Sequence, residues 1–390
     1  MTAIDAADLV ARWAPALPWV VGPIALAARL RRPHTLERHS PVPPAQPLRV
    51  SVIVPARNEE RNVARCLRAL LASQWPALEV ILVDDHSTDA TGAIAREVAA
   101  GDARLRVFAN PDLPDGWFGK QWACWNGAAA ARGEILCFAD ADTEQAPDLV
   151  PRAVAAIAAL EADLLSVAGW QELGSFWERL LQPQVFSMLL LRYGGTAGVN
   201  TARRAEDVIA NGQCLFMRRD AYDAVGGHAA VRDKVAEDLA MAQAVFRAGK
   251  RVRLVLGTEQ LSTRMYTSLR ELVAGWGKNI YAGGIDAVPG GRAGRALFPL
   301  LLLLGPLANL WPPIALALAL AGVMPTNVAW AALATAITTV WWALTYAWLE
   351  EPPWYALLYP LGAAVLFWII LTAIFRGRRV AWKGRTYRSA

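Results

Sequence analysis

Acids that follow apolar runs are the residues of this 390-residue chain best placed to do chemistry. The stretch GEILCFADADTEQAPD, residues 133–148, ends an apolar segment in Asp140 and Asp142, one residue apart. Like charges that close repel unless a cation or hydrogen-bond donors lie among them. Two readings are open: a solvated turn, where Asp is common, and a ligand pair for a divalent cation that itself holds phosphates. The pattern recurs. After RVSVIV (residues 49–54) comes PARNEE, with Pro55, Ala56 and Glu59, and after EVILV (residues 79–83) comes DDHSTD, with Asp84 and Asp85. Helix capping accounts for Asp89 and Asn58 but not for Asp84, Asp85, Asp140 and Asp142 together. Glu237-Asp238 opens a run with helical periodicity that ends at Gly249. Dipole compensation and general-base chemistry both suit acids at that position. Lys120 stands in a loop bounded by Gly116 and Gly119, beside Trp117 and Phe118. It is either a phosphate-reaching point charge or an exposed turn lysine.

The elements that must position these residues follow from periodicity. The β-branched runs at 49–54 and 79–83 flank a stretch, 59–72, with Val63, Leu67, Leu70 and Leu71 at helical spacing. A second helix over 89–100 leads to the strand LRVF at 105–108. Strand, helix, strand, helix, strand predicts a parallel sheet with helical crossovers, an α/β fold. Ligands of such sheets bind beyond the carboxyl ends of the strands, where the acids fall.

Composition excludes some classes and suggests another. Lys and Arg number 39 against 34 Asp and Glu, an excess too mild to point to nucleic acid. The four cysteines have no C-x-x-C spacing and the four histidines no metal-ligand spacing, so reduced, buried thiols in a cytosol-facing domain are expected. Residues 9–28 form an apolar run preceded by Asp5 and Asp8 and followed by arginines, the order of an uncleaved anchor with its C-terminal end in the cytoplasm. Three further apolar runs, 298–323, 328–349 and 354–375, contain seven of the 17 tryptophans, many near segment ends as interface anchors are. The expected layout is an N-terminal anchor (1–32), a linker (33–47), a catalytic domain (48–290), a membrane region (291–376) and a basic cytoplasmic tail (377–390). Both basic clusters belong on the cytoplasmic side, so an even number of crossings must separate domain and tail. Segment 298–323 is interrupted by Gly305-Pro306 and Trp311-Pro312-Pro313. It is therefore expected to form a re-entrant or interface-lying pair of short helices, with the acidic loop Glu350-Glu351 outside.

The motifs SVIVPARNEE, VILVDDHSTDAT, FADADT and AEDLAMA, in that order, resemble family 2 of the inverting glycosyltransferases. GWFGKQWACWNGA, RMYTSLRELVAGWGKN and WKGRTY are similar to the membrane-bound branch that includes carotenoid (diaponeurosporenoate-type) glycosyltransferases, with hopanoid-associated enzymes as more distant relatives. The resemblance implies a nucleotide-sugar-binding (GT-A, Rossmann-like) domain with a mainly parallel sheet, between N- and C-terminal transmembrane helices of an inner-membrane protein. It implies a UDP-sugar donor, Mg²⁺ or Mn²⁺ as cofactor, and a lipid acceptor in the bilayer, with no nucleic acid partner. By position, Asp85 would meet the uracil ring, and Pro55, Ala56 and Glu59 would line the nucleoside pocket. Glu59 is equally a first-turn helix acid. Asp142 would hold the metal, Asp140 the ribose or the same metal, Lys120 a phosphate, and Asp238, beside Glu237, would be the general base. Asn126-Gly127 fits the start of the helix that closes over the donor.

The chain departs from the polymerising members, which carry Q-x-x-R-W where this sequence has AGWGKN. Trp276 and Lys278 stand in that neighbourhood for the acceptor, although Trp276 is equally a membrane-interface anchor. Arg264 and Arg385 are weaker expectations for the diphosphate. The missing arginine favours a single sugar transfer over polysaccharide synthesis, and the resemblance to the carotenoid branch implies a terpenoid lipid as acceptor. The rival readings are a ceramide-type or polyprenyl-phosphate glycosyltransferase and, from another class, a membrane accessory that only binds sugar nucleotides.

Overall fold

The structure is a computed structural model describing residues 12–30, 33–285, 288–324, 328–377, 379–382 and 385–388. Arg31, Arg32, Arg378, Lys383 and the anchor residues through Ala11 lie outside it. The alternation read from sequence becomes β1 (Val50–Ala56), α2 (Val63–Leu71), β2 (Leu78–Asp84), α3 (Thr91–Ala100), β3 (Leu105–Ala109), α4 (Gly119–Ala130) and β4 (Ile135–Ala139), with α1 (Leu17–Leu30) before them. Beyond these come β5 (Thr143–Gln145), α5 (Leu149–Ala159), β6 (Leu164–Ala168), β7 (Trp170–Gln171), α6 (Phe176–Tyr193), β8 (Cys214–Arg218), α7 (Glu237–Arg247), β9 (Val252–Leu256), β10 (Leu261–Thr263) and α8 (Leu269–Lys278).

The main sheet has seven strands in the order β3-β2-β1-β4-β8-β6-β9. β3, β2, β1 and β4 run parallel, and β8 is antiparallel to both β4 and β6. The central strands are buried on both faces, which is why they read as continuous apolar runs rather than alternating ones. Order reverses at β1 and β4, so the crevice between their carboxyl ends is the topological switch point. β5, β10 and β7 form a small second sheet beside that crevice. Gly127 lets α4 lie close on the sheet: a Cβ there would come 2.4 Å from Ile53 Cγ2.

Among the described residues three helices are long and apolar enough to cross a membrane: Gly291–Leu320 (α9), Val328–Trp348 (α10), and Pro353–Arg376, whose α-helical part is α11 (Tyr359–Arg376). The break expected within 298–323 is absent. α9 is one 30-residue helix despite Pro299, Pro306, Pro312 and Pro313. A proline frees the carbonyl four residues earlier, and Ala308 O, freed by Pro312, accepts a 2.8 Å hydrogen bond from Trp19 Nε1 of α1. Neighbouring helices commonly satisfy such groups in apolar bundles. Of the N-terminal apolar run, α1 and the 3-10 turn before it (Ala14–Ala16) are described, and residues 9–11 lie outside the described residues. The acidic loop is engaged in an ion pair, Glu351 Oε2 lying 2.6 Å from Arg179 Nε of α6. Charge sign alone does not reveal such a partner. A tail hairpin, β11 (Arg379–Trp382) and β12 (Arg385–Arg388), returns to the main sheet.

Candidate active site

Carboxyl ends of β1, β2 and β4 deliver their acids to one crevice. Asp85, nearly fully buried, follows β2 and is tied to β1 by a 2.8 Å bond from its N–H to Ala56 O. Its Oδ1 accepts from Asn110 Nδ2 at 3.0 Å and its Oδ2 from Arg385 Nη1 at 2.6 Å. Arg385 therefore lies in the expected nucleoside pocket rather than at a diphosphate site. Tyr387 stacks on Phe118 with ring centroids 4.2 Å apart, and its hydroxyl accepts from Gly119 N at 3.4 Å. A Cβ on Gly119 would come 2.5 Å from both Arg385 Nη1 and Asp85 Oδ2, so only glycine fits under the tail. Glu59 stands at the mouth, its N–H donating to Thr91 Oγ1 at 2.7 Å and its Oε2 accepting from Asn62 Nδ2 at 3.1 Å.

Deeper in, Lys120 does not sit in a loop. It lies in the first turn of α4 with its ammonium 2.6 Å from Asp140 Oδ1 and 2.7 Å from Glu237 Oε1. Burial alone would lower the Lys120 pKa, but the two carboxylates outweigh it and hold the ammonium well above its usual range. Glu237 is held below the usual carboxylate range: burial opposes this, and Lys120 overrides it. Asp140 is pushed up, by burial first, with the charges of Glu237 and Glu59 opposing Lys120. One ammonium between two acids cannot fully compensate both, and we assign the firmer pair to Lys120–Glu237.

Asp238 lies beside this triad on the first turn of α7. Its Oδ2 accepts from Gly212 N at 2.8 Å and its Oδ1 from Leu239 N at 2.7 Å. Burial, then the charge of Glu237, push its pKa up to about 6. Pro55, Lys120, Asp140, Glu237, Asp238 and His228 line one shared cavity. His228 Nδ1 is 3.0 Å from the Tyr222 hydroxyl, and burial pushes the imidazole down to about 3, a neutral wall.

Asp142 is half-buried after β4, its carbonyl accepting from Thr263 Oγ1 at 3.2 Å. Among the described residues no group of three or more His, Cys, Asp or Glu is arranged to hold a metal. The available set is the two hard carboxylates of Asp140 and Asp142. That suits Mg²⁺ or Mn²⁺, which take one or two carboxylates and complete their shell with phosphate oxygens and water.

Other expectations fare differently. Asp84 is a turn acid, its Oδ1 accepting from Ser87 N at 3.0 Å. Arg264 is committed to a two-pronged pair with buried Glu178, both contacts 3.0 Å. Asn126-Gly127 falls in mid-helix, with Asn126 Nδ2 donating to Asn110 Oδ1 at 2.9 Å. Trp276 is buried among Leu181, Val185, Leu366 and Ile370, where the domain meets the apolar helices. Lys278 is half-buried near the acids, and burial lowers its pKa despite the Glu237 charge. All four cysteines are free and buried, as expected. Asn110, Tyr387 and His228 went unread. Asn110 had a signal, since it too follows a strand of the parallel half.

The mostly parallel sheet with acids at its switch point is a GT-A-like α/β core. Residues 51–226, just under half of the chain, match the family model for Glycosyl transferase family 2. The chain is 28% identical over 244 residues to the 4,4'-diaponeurosporenoate glycosyltransferase of Staphylococcus haemolyticus (strain JCSC1435), covering 62% of this chain and 63% of that protein. Over 248 residues it is 28% identical to the enzyme of the same name from Staphylococcus aureus (strain MRSA252), with the same coverage. The match thus spans under two thirds of these relatives' length. A solved mannosyltransferase from Pyrobaculum calidifontis, in complex with GDP-Man and Mn²⁺, shares the fold with a TM-score of 0.57 at 20% identity, covering 95% of this chain and 96% of that one.

Proposed function

We propose that the chain is a membrane-integrated, inverting glycosyltransferase that moves one sugar from a UDP-sugar to a lipid, of the terpenoid class that includes carotenoid and hopanoid derivatives. The convergence of Asp140, Lys120, Glu237 and Asp238 on one cavity beyond the parallel strands carries this reading. A protein that only binds sugar nucleotides has no use for a half-buried carboxylate held ready beside that cavity.

In this reading Asp85 accepts a hydrogen bond from the uracil ring and Pro55, Ala56 and Glu59 line the nucleoside pocket. Asp142 and Asp140 would hold Mg²⁺ or Mn²⁺, which supplies Lewis-acid stabilisation of the departing diphosphate. Lys120 adds positive charge beside the donor, while Glu237 fixes the lysine's position. Asp238 takes the proton of the acceptor hydroxyl as the new bond forms, and the Gly212 and Leu239 N–H groups hold its carboxylate in place. Attack from the face opposite UDP inverts the anomeric centre, with no covalent sugar–enzyme intermediate. Trp276 and Lys278 lie on the acceptor side, toward the apolar helices.

The test is direct. Purified protein incubated with Mn²⁺, a panel of UDP-sugars and lipid extract should yield one new glycolipid whose mass exceeds its acceptor by a single sugar residue. A sugar attached to an acid is released by mild alkali and one attached to an alcohol is not, which separates the two acceptor classes. Nucleotide binding without any transferred sugar would contradict the proposal.

A further inference from the structure

Apolar length alone would let Pro353–Arg376 cross a membrane. Its contacts say otherwise. At its start, Glu351 Oε2 pairs with Arg179 Nε at 2.6 Å, and the Tyr346 hydroxyl donates to Arg179 O at 3.0 Å. Arg179 belongs to α6, and α6 is joined to the catalytic domain at both ends. Before it, Glu172 N donates to Thr263 O of β10 at 2.9 Å. After it, Asn200 exchanges bonds of 3.0 and 2.8 Å with Leu254 of β9. A helix so tethered does not leave the domain's side of a bilayer. α11 then runs along α6, with Gln184 Nε2 donating to Tyr359 O at 3.0 Å and Leu181 and Val185 packed on Leu366 and Ile370. At its far end the tail hairpin returns Arg385 to Asp85 at 2.6 Å. A spanning helix must deliver its ends to opposite faces of a ~30 Å core. Both ends of α11 instead meet the same domain.

The outward face of α11 is nonetheless apolar. Leu361, Trp368 and Phe375, seven residues apart, are 43%, 50% and 82% exposed, and Leu189 and Leu191 of α6 extend the surface. Exposed Arg376 follows Phe375 at the end of the helix. An apolar stripe with tryptophan and a basic end suits the boundary between lipid headgroups and acyl chains. α9 packs on the same cluster of Leu366 and Ile370 through Leu302 and Leu303 and exposes Leu300, Leu301 and Leu304.

We propose that α11 lies in the plane of the membrane surface beside α6, as an apolar platform seating the catalytic domain on the bilayer, while of the three C-terminal helices only α9 and α10 cross. The even crossing number that the basic clusters require is then met by the α9–α10 hairpin. The platform also sets the Trp276 cluster, and with it the acceptor side of the crevice, at lipid level. This rests on the membrane reading above, and the test separates the two.

Single cysteines are introduced at Val323 (between α9 and α10), Pro352 (between α10 and α11) and Ala100 (catalytic domain, as reference) in the full chain, in sealed membrane vesicles of each orientation. The native cysteines are all buried and stay in place. An impermeant maleimide should label Pro352→Cys in the same orientation as Ala100→Cys, and Val323→Cys in the opposite one. Pro353→Cys serves as a second reporter of the same loop. Labelling of either loop cysteine from the face opposite Ala100→Cys would overturn the in-plane helix and leave the membrane reading intact. Labelling of all sites from one face would overturn the membrane-crossing reading itself.

Discussion

Replacement of Asp238 by asparagine isolates the proposed base. The carboxylate is held by two N–H donors, one on each oxygen, from Gly212 at 2.8 Å and Leu239 at 2.7 Å. An asparagine can satisfy only one of them and turns an amide NH₂ toward the other. The lost partner costs ~1–3 kcal/mol of stability, toward the lower end because the group is partly buried. The loss of proton acceptance is larger. General-base catalysis contributes about 10²–10⁴-fold, or ~2.7–5.4 kcal/mol of transition-state stabilisation at ~1.36 kcal/mol per decade. Asp238→Asn should therefore lower single-turnover transfer to a lipid alcohol by at least about 100-fold while UDP affinity, measured by calorimetry, stays within a few-fold. The wild-type pH profile gives a second reading. With Asp238 pushed up to about 6, kcat/KM should fall tenfold per pH unit below about 6, where the base is protonated. The stability contribution has the opposite sign. A carboxyl whose folded pKa is raised binds its proton more tightly in the fold, so its share of stability is present below the unfolded value near ~4 and is lost as pH rises through about 6. A mutant that transfers to an alcohol at the wild-type rate, with a flat profile through pH 6, would refute the assignment.

The remaining expectations concern donor, metal and tail. Asp142→Asn should raise the Mn²⁺ concentration needed for half-maximal turnover by roughly tenfold or more through loss of one hard ligand; unchanged metal dependence contradicts the ligand role. Arg385→Ala releases Asp85 Oδ2, so the nucleoside uridine should bind about 3–10-fold tighter, the scale of a part-buried ion pair of ~1 kcal/mol. Weaker uridine binding by calorimetry would show that Arg385 supports the base rather than competing for Asp85. Gly119→Ala places a methyl 2.5 Å from Arg385 Nη1 and Asp85 Oδ2, and should weaken UDP binding with little effect on secondary structure by circular dichroism; wild-type affinity would show that the tail stands off in solution.

Strand ends were legible because a parallel strand buried on both faces reads as an unbroken apolar run, and chemistry at its carboxyl end stands out against it. β1, β2, β3 and β4, and with them Asp85, Asp140 and Asp142, were found this way. Asp84 shows the limit, since adjacent acids read alike until one turns its oxygen to the Ser87 N–H of its own loop. The antiparallel β8 and the short strands of the second sheet carry no comparable signal. Lys120 was recognised as a charge but not as the counter-ion between Asp140 and Glu237, because those acids stand 20 and 117 positions away in the chain. The continuity of α9 was hidden for a related reason. Prolines announce a break, and the compensating donor, Trp19, lies 289 residues away. Arg385 was read as a donor-site residue but not as the partner of Asp85, and Tyr387 went unread, since only the fold brings the tail back to Asp85 and Phe118.

Identification of the product by mass spectrometry tests the central claim most directly. Full-length protein in its native membrane, given Mn²⁺ and a UDP-sugar labelled in the sugar, should move label into one lipid, a single residue per acceptor, with the anomeric configuration inverted and UDP released in equal amount. Label that stays on the nucleotide, or enters a polymer, would contradict the account.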